Sequence, residues 1–194
     1  MLGIDRAGFV GEDGETHHGL FDVAMLTTVP GVTVYSPSDT AELSQCLEQA
    51  LYKDKGIVAV RYPRGCELYR SGTKAYSDFR HVSNKSRKLI FTYGRISAYA
   101  YTIHGVDVLQ AIKIFPIVDE IIDICLAYDE IYAFEEGERE GGIAQKLCTA
   151  LALAGFKGRF TITAVDGFVR HADVATQLHN AMLDADGMRK ITGE

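Results

Sequence analysis

The densest group of side chains capable of chemistry lies in one segment, residues 5–19, which we call the polar loop. It contains Arg6, Asp13, His17 and His18, together with four glycines that permit tight turns. Such a loop brings a guanidinium, a carboxylate and two imidazoles together, just before a short apolar helix whose N-terminus favours anions. Each residue alone fits a surface Asp/Gly turn, but their concentration within one loop favours a functional site.

The elements that follow the polar loop predict a strand, a helix and a strand. Residues 32–35 form a β-branched run, and Ser38 or Asp39 is placed to cap the helix that comes next. Apolar residues recur at helical spacing from 43 to 51, and 57–60 form a second apolar run. We therefore expect two parallel strands joined by a right-handed helical crossover.

The second half of the chain predicts another α/β unit. Residues 65–88 are polar and lack an apolar period, which is typical of a linker. Four strands are expected after it, at 89–93, 106–109, 131–134 and 160–165. Helices are expected at 142–154 and 174–183. Because strands and helices alternate, the sequence predicts a mostly parallel α/β layer structure.

Composition narrows the classes of partner. The 194-residue chain has a formal net charge of −6, which argues against general nucleic-acid binding. A few local arginines can still capture a phosphorylated small molecule. No run of about 18 apolar residues and no signal-peptide pattern occur, so we expect neither a membrane span nor an export signal. The scattered cysteines predict reduced thiols in a cytoplasmic protein.

Several motifs together carry a family resemblance. The polar loop reads Asp-Arg-Ala-Gly-x-Val-Gly-x-Asp-Gly-x-Thr-His-x-Gly, followed by Phe21-Asp22, Ser-Pro-Ser-Asp at 36–39 and Val-Arg-Tyr-Pro-Arg-Gly at 60–65. These pieces resemble the pyrimidine-binding domain of 1-deoxy-D-xylulose-5-phosphate synthases. Transketolases and pyruvate dehydrogenase β-type chains share the general pattern, but Arg-Tyr-Pro-Arg-Gly beside Asp-Gly-x-Thr-His favours the deoxyxylulose branch.

The resemblance continues to the end of the chain. The motifs that resemble the family's transketolase-type C-terminal domain are Thr-Tyr-Gly-Arg at 92–95, Glu135-Glu136-Gly137 with Gly141-Gly142, and Phe-Val-x-His at 168–171. The resemblance implies a partial thiamine-diphosphate pyrimidine-domain fold over 1–66, a linker over 67–87, and a transketolase C-terminal-type, mostly parallel α/β sandwich over 88–194. Between residues 95 and 106 the family usually has a longer helix than the ten residues found here.

The resemblance also implies roles for four residues. Arg6 and Arg64 hold the phosphate of glyceraldehyde 3-phosphate, while Asp13 and His17 face the reacting carbon as catalytic residues. Arginines offer fixed, bidentate donors to a phosphate, and a histidine can move protons during carbon–carbon bond formation.

Some alternatives remain open at this point. Arg64 could pair with Glu67 instead, and Arg61 could serve the phosphate. We interpret His18 as a solvent or packing residue, and we assign no catalysis to Glu135 and Glu136, because acidic residues near a helix start commonly stabilise it through the helix dipole.

Cofactor binding is expected to lie outside this sequence. In the family, a Gly-Asp-Gly motif with a downstream Asn holds the diphosphate and Mg²⁺, and no such motif occurs here. The resemblance implies thiamine diphosphate and Mg²⁺ in the complete enzyme only, with no cofactor-binding or metal-binding residue in this chain.

The function implied is that of a C-terminal fragment of such a synthase. The parent reaction decarboxylates pyruvate and ligates the two-carbon unit to glyceraldehyde 3-phosphate, for isoprenoid precursor synthesis. We expect the chain alone to be inactive and to form a homo-oligomer. Alternatives are a subunit of a split transketolase-like enzyme and a non-catalytic dimerisation module.

Overall fold

A computed structural model describes residues 1–68, 70, 72 and 75–194. The strands are β1 Leu2–Ile4, β2 Val32–Tyr35, β3 Ile57–Arg61, β4 Phe79–Val82, β5 Lys88–Tyr93, β6 Asp107–Ala111, β7 Lys113–Phe115, β8 Glu130–Glu138 and β9 Arg159–Val165. The α-helices are α1 Asp22–Leu26, α2 Thr40–Tyr52, α3 Ser97–Ala100, α4 Asp119–Cys125, α5 Ile143–Leu153, α6 Val174–Asn180 and α7 Ala185–Thr192. Single 3₁₀ turns lie at Gly11–Asp13, Glu15–His17 and Gly94–Ile96.

The first sheet has the order β1-β3-β2-β7, and β1, β3 and β2 are parallel. The predicted strand–helix–strand unit is confirmed as β2, α2 and β3. Asp39 caps α2, since its Oδ1 accepts from the Glu42 amide at 2.8 Å. The Glu42 carboxylate in turn accepts from the Ser38 amide at 2.7 Å, which satisfies a second backbone donor at the start of the helix.

The remaining edge of β2 is paired with a strand from the second half of the chain. Strand β7 runs antiparallel to β2, with Val34 opposite Phe115. Strand β7 was not predicted from the sequence, because three residues give no readable period. This pairing ties the two halves of the chain into one structure.

The second sheet has the order β4-β6-β5-β8-β9, with β4 as its one antiparallel member among the described strands. Strand β4 lies in the stretch that we predicted as a linker, part of which falls outside the described residues. Its sequence, Phe-Arg-His-Val, is too polar to stand out, and pairing with β6 specifies it instead. The last predicted helix is also followed by another, α7, which Asp184 caps.

Three apolar clusters form the core. The central cluster contains side chains from both sheets, such as Val34 and Phe91, together with Leu147 of α5. A second cluster packs α3, α6 and α7 on the other face of the second sheet, and a third packs α2 on the first sheet. The α/β fold class with mostly parallel sheets is confirmed. Cys46 and Cys125 are buried free thiols, whereas Cys66 is exposed.

Candidate functional site

The polar loop leaves the carboxyl end of β1, beside the carboxyl end of β3. Ile4 is level with Arg61 in the parallel pairing of these strands. The chain continues from β3 through Tyr62 and Pro63 to Arg64, while β1 continues into Arg6. Parallel strands bring their carboxyl ends to one edge of a sheet, the usual place for ligand binding in α/β proteins. This topology is the reason that Arg6 and Arg64 meet, although 57 residues separate them in sequence.

Both arginines contact the carboxylate of Asp13. Arg6 Nε lies 3.4 Å from Asp13 Oδ2, and Arg64 Nη1 donates to Asp13 Oδ1. The hydrogen bond from Arg64, with a smaller effect of Arg6, holds the pKa of the Asp13 carboxyl below its ordinary value. Both guanidinium side chains remain about half exposed, at 43% for Arg6 and 57% for Arg64. The cluster is therefore open to an incoming anion.

An open cleft of about 250 Å³ lies against this cluster, lined by Asp5, Arg6, Tyr62, Pro63 and Arg64. Arg6 itself has a positive φ of 59°, a backbone conformation that is uncommon for a residue with a side chain. Gly19 fixes that conformation, because its amide donates to the Arg6 carbonyl at 3.0 Å. A Cβ at position 19 would lie 2.3 Å from the same oxygen, so only glycine fits here.

His17 lies on the 3₁₀ turn that follows Asp13 and is exposed. Its Nδ1 lies 3.1 Å from the Thr16 hydroxyl oxygen. The hydrogen bond found for this imidazole is thus with a hydroxyl. The structure places Asp13 with the two arginines and leaves His17 facing solvent.

His18, by contrast, is partly buried. Its Nδ1 accepts from the Val10 amide at 3.0 Å, and its ring stands edge-on to Phe9. Burial lowers the pKa of His18 below its ordinary value. These contacts agree with the interpretation of His18 as a packing residue.

Arg61 is buried and cannot serve the cleft. Its Nε donates to Asp22 Oδ2 at 2.9 Å, and its Nη2 donates to the Gly19 carbonyl at 3.0 Å. The guanidinium also lies over the ring of Tyr93. The open alternative in which Arg61 binds phosphate is therefore wrong.

Glu67 is bound elsewhere than at Arg64. Its Oε2 accepts from the Thr40 amide at 3.1 Å at the start of α2, and its other oxygen accepts from Arg70. These hydrogen bonds, led by that of the Thr40 hydroxyl, lower the pKa of Glu67 to about 2. The alternative in which Arg64 pairs with Glu67 is wrong as well, because Arg64 pairs with Asp13.

Glu135 and Glu136 perform different tasks at the end of β8. Glu135 accepts from the amides of Ile143 and Ala144, at 2.9 and 2.8 Å, and so stabilises the start of α5. Glu136 accepts from the Phe9 amide at 2.8 Å and pairs with Arg95, both side chains being less than a tenth exposed. The part that Arg95 and Glu136 take in holding the polar loop was not predicted from the sequence. The available signal was the pair of acidic residues directly after the apolar run predicted as a strand at 131–134, since charges that become buried require partners.

A Mg²⁺–diphosphate group needs a cluster of oxygen ligands. Among the described residues, no group of three or more His, Cys, Asp or Glu side chains is arranged to hold a metal ion.

No helix in the described part of the chain has the length and apolar character to cross a membrane.

Comparison with known proteins shows which proteins this chain is related to. Residues 1–67 match the family model described as the transketolase pyrimidine-binding domain. A 1-deoxy-D-xylulose-5-phosphate synthase of Thermus thermophilus is 33% identical over 98% of this chain, and that of Chlorobium phaeovibrioides is 34% identical over 95%. The chain spans about a third of the length of these curated relatives (32%).

A solved structure has the same fold. It is described as a split-gene transketolase in an inactive β4 tetramer, and it superimposes with a TM-score of 0.78 over 95% of this chain and 63% of its own, at 18% identity. The chain therefore belongs to the transketolase-like family of enzymes and is related to about a third of 1-deoxy-D-xylulose-5-phosphate synthase.

Proposed function

We propose that this chain forms the aldehyde-phosphate side of a 1-deoxy-D-xylulose-5-phosphate synthase site, in which Arg6 and Arg64 bind the phosphate of glyceraldehyde 3-phosphate. The observation that carries the proposal is the convergence of these two arginines, from separate segments, on one carboxylate beside an open cleft. Guanidinium groups match phosphate with paired, parallel hydrogen bonds.

In this proposal Asp13 is an internal anion that the phosphate displaces. Each guanidinium has five N–H donors. Arg6 also donates to Asp5 Oδ2 at 3.0 Å, but donors of both arginines remain free for a ligand. A phosphate carries more charge and more acceptor oxygens than a carboxylate and therefore competes well for the exposed arginines. Binding of the substrate would release Asp13 from Arg64 toward the reacting carbon.

His17 completes the proposed site as the group that moves protons. Histidine exchanges protons near neutral pH, which suits the carbonyl and hydroxyl groups of an aldehyde acceptor. Its ring is exposed on the turn after Asp13 and is therefore accessible to a ligand that approaches from solvent. Asp13, once displaced, would face the same carbon.

The test is calorimetric titration of the 194-residue chain with glycerol 3-phosphate, an unreactive compound with the same phosphate group. We expect binding, and we expect Arg64→Ala to weaken it by about tenfold or more, since hydrogen bonds between charged groups are strong. Arg70→Ala is the matched control, because Arg70 is an exposed arginine of the same segment that pairs with Glu67 instead. An equal loss of affinity in both variants would mean that Arg64 contributes only positive charge and no specific contact, which would contradict the proposal.

We further propose that thiamine diphosphate and Mg²⁺ belong to the complete enzyme and that this chain alone holds neither. The absence of a Gly-Asp-Gly motif from its sequence supports this. With both cofactors, pyruvate and glyceraldehyde 3-phosphate supplied, we expect no deoxyxylulose phosphate from the chain alone. Turnover under those conditions would contradict the assignment.

Self-association is the remaining part of the proposal. Large apolar side chains are exposed at Met25, Tyr52, Leu153 and Phe168, which are 70%, 80%, 86% and 78% accessible. Exposed apolar side chains favour contact between copies where they adjoin one another, and the solved structure with this fold is described as a tetramer. Sedimentation equilibrium should therefore give a mass above 21.3 kDa, and a monomer at all concentrations would contradict it.

A further inference from the structure

We infer that the buried Arg95–Glu136 pair is a positioning device, which holds the polar loop so that Arg6, Asp13 and Arg64 meet. The inference rests on the proposed function for the meaning of that cluster. Neither Arg95 nor Glu136 contacts the cleft lined by Arg6 and Arg64. Both act through the backbone of the loop.

The pair holds the loop at Phe9, because it binds both the amide and the carbonyl of that residue. The Phe9 amide donates to Glu136 Oε1 at 2.8 Å, and its carbonyl accepts from Arg95 Nη2 at 2.8 Å. Arg95 Nε in turn donates to Glu136 Oε2 at 3.0 Å. The ring of Phe9 is fully buried in the second apolar cluster, which anchors the same point.

The approach of Glu136 requires a glycine. A Cβ at position 8 would lie 2.3 Å from the Glu136 carboxylate, and Gly8 has a φ of +76°. Only a residue without a side chain leaves room for this carboxylate next to Phe9. The contact with Glu136 therefore depends on the glycine at position 8.

Backbone hydrogen bonds connect the segment around Phe9 to the segments that carry Arg6 and Arg64. The Gly8 amide donates to the Gly19 carbonyl at 2.9 Å, and the Gly19 amide donates to the Arg6 carbonyl at 3.0 Å. The Ala7 amide donates to the carbonyl of Tyr62, two residues before Arg64, at 3.0 Å. Holding Phe9 consequently fixes the backbone that presents Arg6 and the segment that presents Arg64.

The test compares three variants of the 194-residue chain by NMR. Arg95→Met/Glu136→Met removes the grip and leaves no unpaired buried charge, which would otherwise threaten folding. Glu136→Gln keeps an acceptor for the Phe9 amide but loses the ion pair. Glu135→Gln is the matched control, because it alters the neighbouring buried carboxylate, which holds α5 rather than the loop.

We expect the double variant to exchange the Phe9 amide hydrogen about tenfold faster or more, the scale of one lost hydrogen bond. The measured pKa of Asp13 should rise toward its ordinary value as Arg64 and Asp13 separate, and affinity for glycerol 3-phosphate should fall. Glu136→Gln should lie between the double variant and the wild type. Glu135→Gln should leave the Asp13 pKa and the affinity unchanged, even where it lowers stability.

A double variant that retains the Asp13 pKa of the wild type would overturn the inference, whatever its stability, and so would an equal shift in the control. Failure of the proposed function looks different. In that case the wild type does not bind glycerol 3-phosphate, or Arg64→Ala binds it equally well, while the Asp13 titration still reports on the loop.

Discussion

Arginine–carboxylate pairs occur in two settings near the polar loop, one exposed and one buried. The side chains of Arg6 and Arg64 are 43% and 57% exposed, and their shared partner is Asp13. Those of Arg61 and Arg95 are 3% and 8% exposed, and each also binds a backbone carbonyl of the loop. The exposed arginines can exchange their carboxylate partner for a ligand at a low cost in free energy, whereas the buried arginines fix the backbone of the polar loop.

The contrast between Arg61 and Arg64 is the most instructive, because three positions separate them in one motif. Arg61 ends β3 and pairs with Asp22 beneath the loop, whereas Pro63 lies just after the strand and Arg64 follows it at the surface. A proline lacks the amide hydrogen that would continue the ladder. Strand geometry and one proline thus separate a structural arginine from a candidate ligand-binding one.

The largest effect expected from this comparison is on stability. Arg61→Ala should lower the free energy of unfolding by about 3–5 kcal/mol, because it leaves Asp22 without its buried partner. Arg64→Ala, at an exposed position, should unfold close to the wild type. Urea denaturation measures both. Similar losses in the two variants would remove the distinction between the buried and exposed pairs.

A smaller effect is expected on ligand binding at the exposed Arg6–Asp13–Arg64 cluster. If Asp13 competes with phosphate for the arginines, Asp13→Asn should tighten binding of glycerol 3-phosphate roughly two- to fivefold, the range for an exposed ion pair. Glu12→Gln is the control, since it removes the same charge from the same turn. Unchanged or weaker binding in Asp13→Asn would show that Asp13 does not compete for these donors.

The smallest effect concerns His18 of the polar loop, whose ring lies between Val10 of the same loop and Gln177 of α6. Its pKa is lowered by burial from an ordinary value of 6.5, so below that pH the unfolded chain binds a proton that the folded chain resists. Stability should therefore fall as the pH drops below 6.5. His18→Gln, which keeps an acceptor for the Val10 amide, should lose this part of the pH dependence. Thermal unfolding between pH 5 and pH 8 measures it, and identical profiles would contradict it.

Much of the fold was readable from the sequence where the apolar pattern was strong. The strand–helix–strand unit around α2 and the strands β5, β6, β8 and β9 were predicted within a few residues. The weak elements β4 and β7 were not predicted, because each is short and has no clear period. Their strand conformation comes from pairing with β6 and β2, which are distant in sequence.

The candidate site divided in the same way. Sequence determined which residue types were available: an arginine pair, a glycine-rich loop, and acidic residues at 135 and 136. Only the tertiary structure decided which arginine meets which carboxylate, because that depends on parallel strands ending at one edge and on Glu136 reaching the amide of Phe9 across 127 positions. Residue type sets what a side chain can do, and burial with its partners sets whether the side chain holds the protein together or remains free for a ligand.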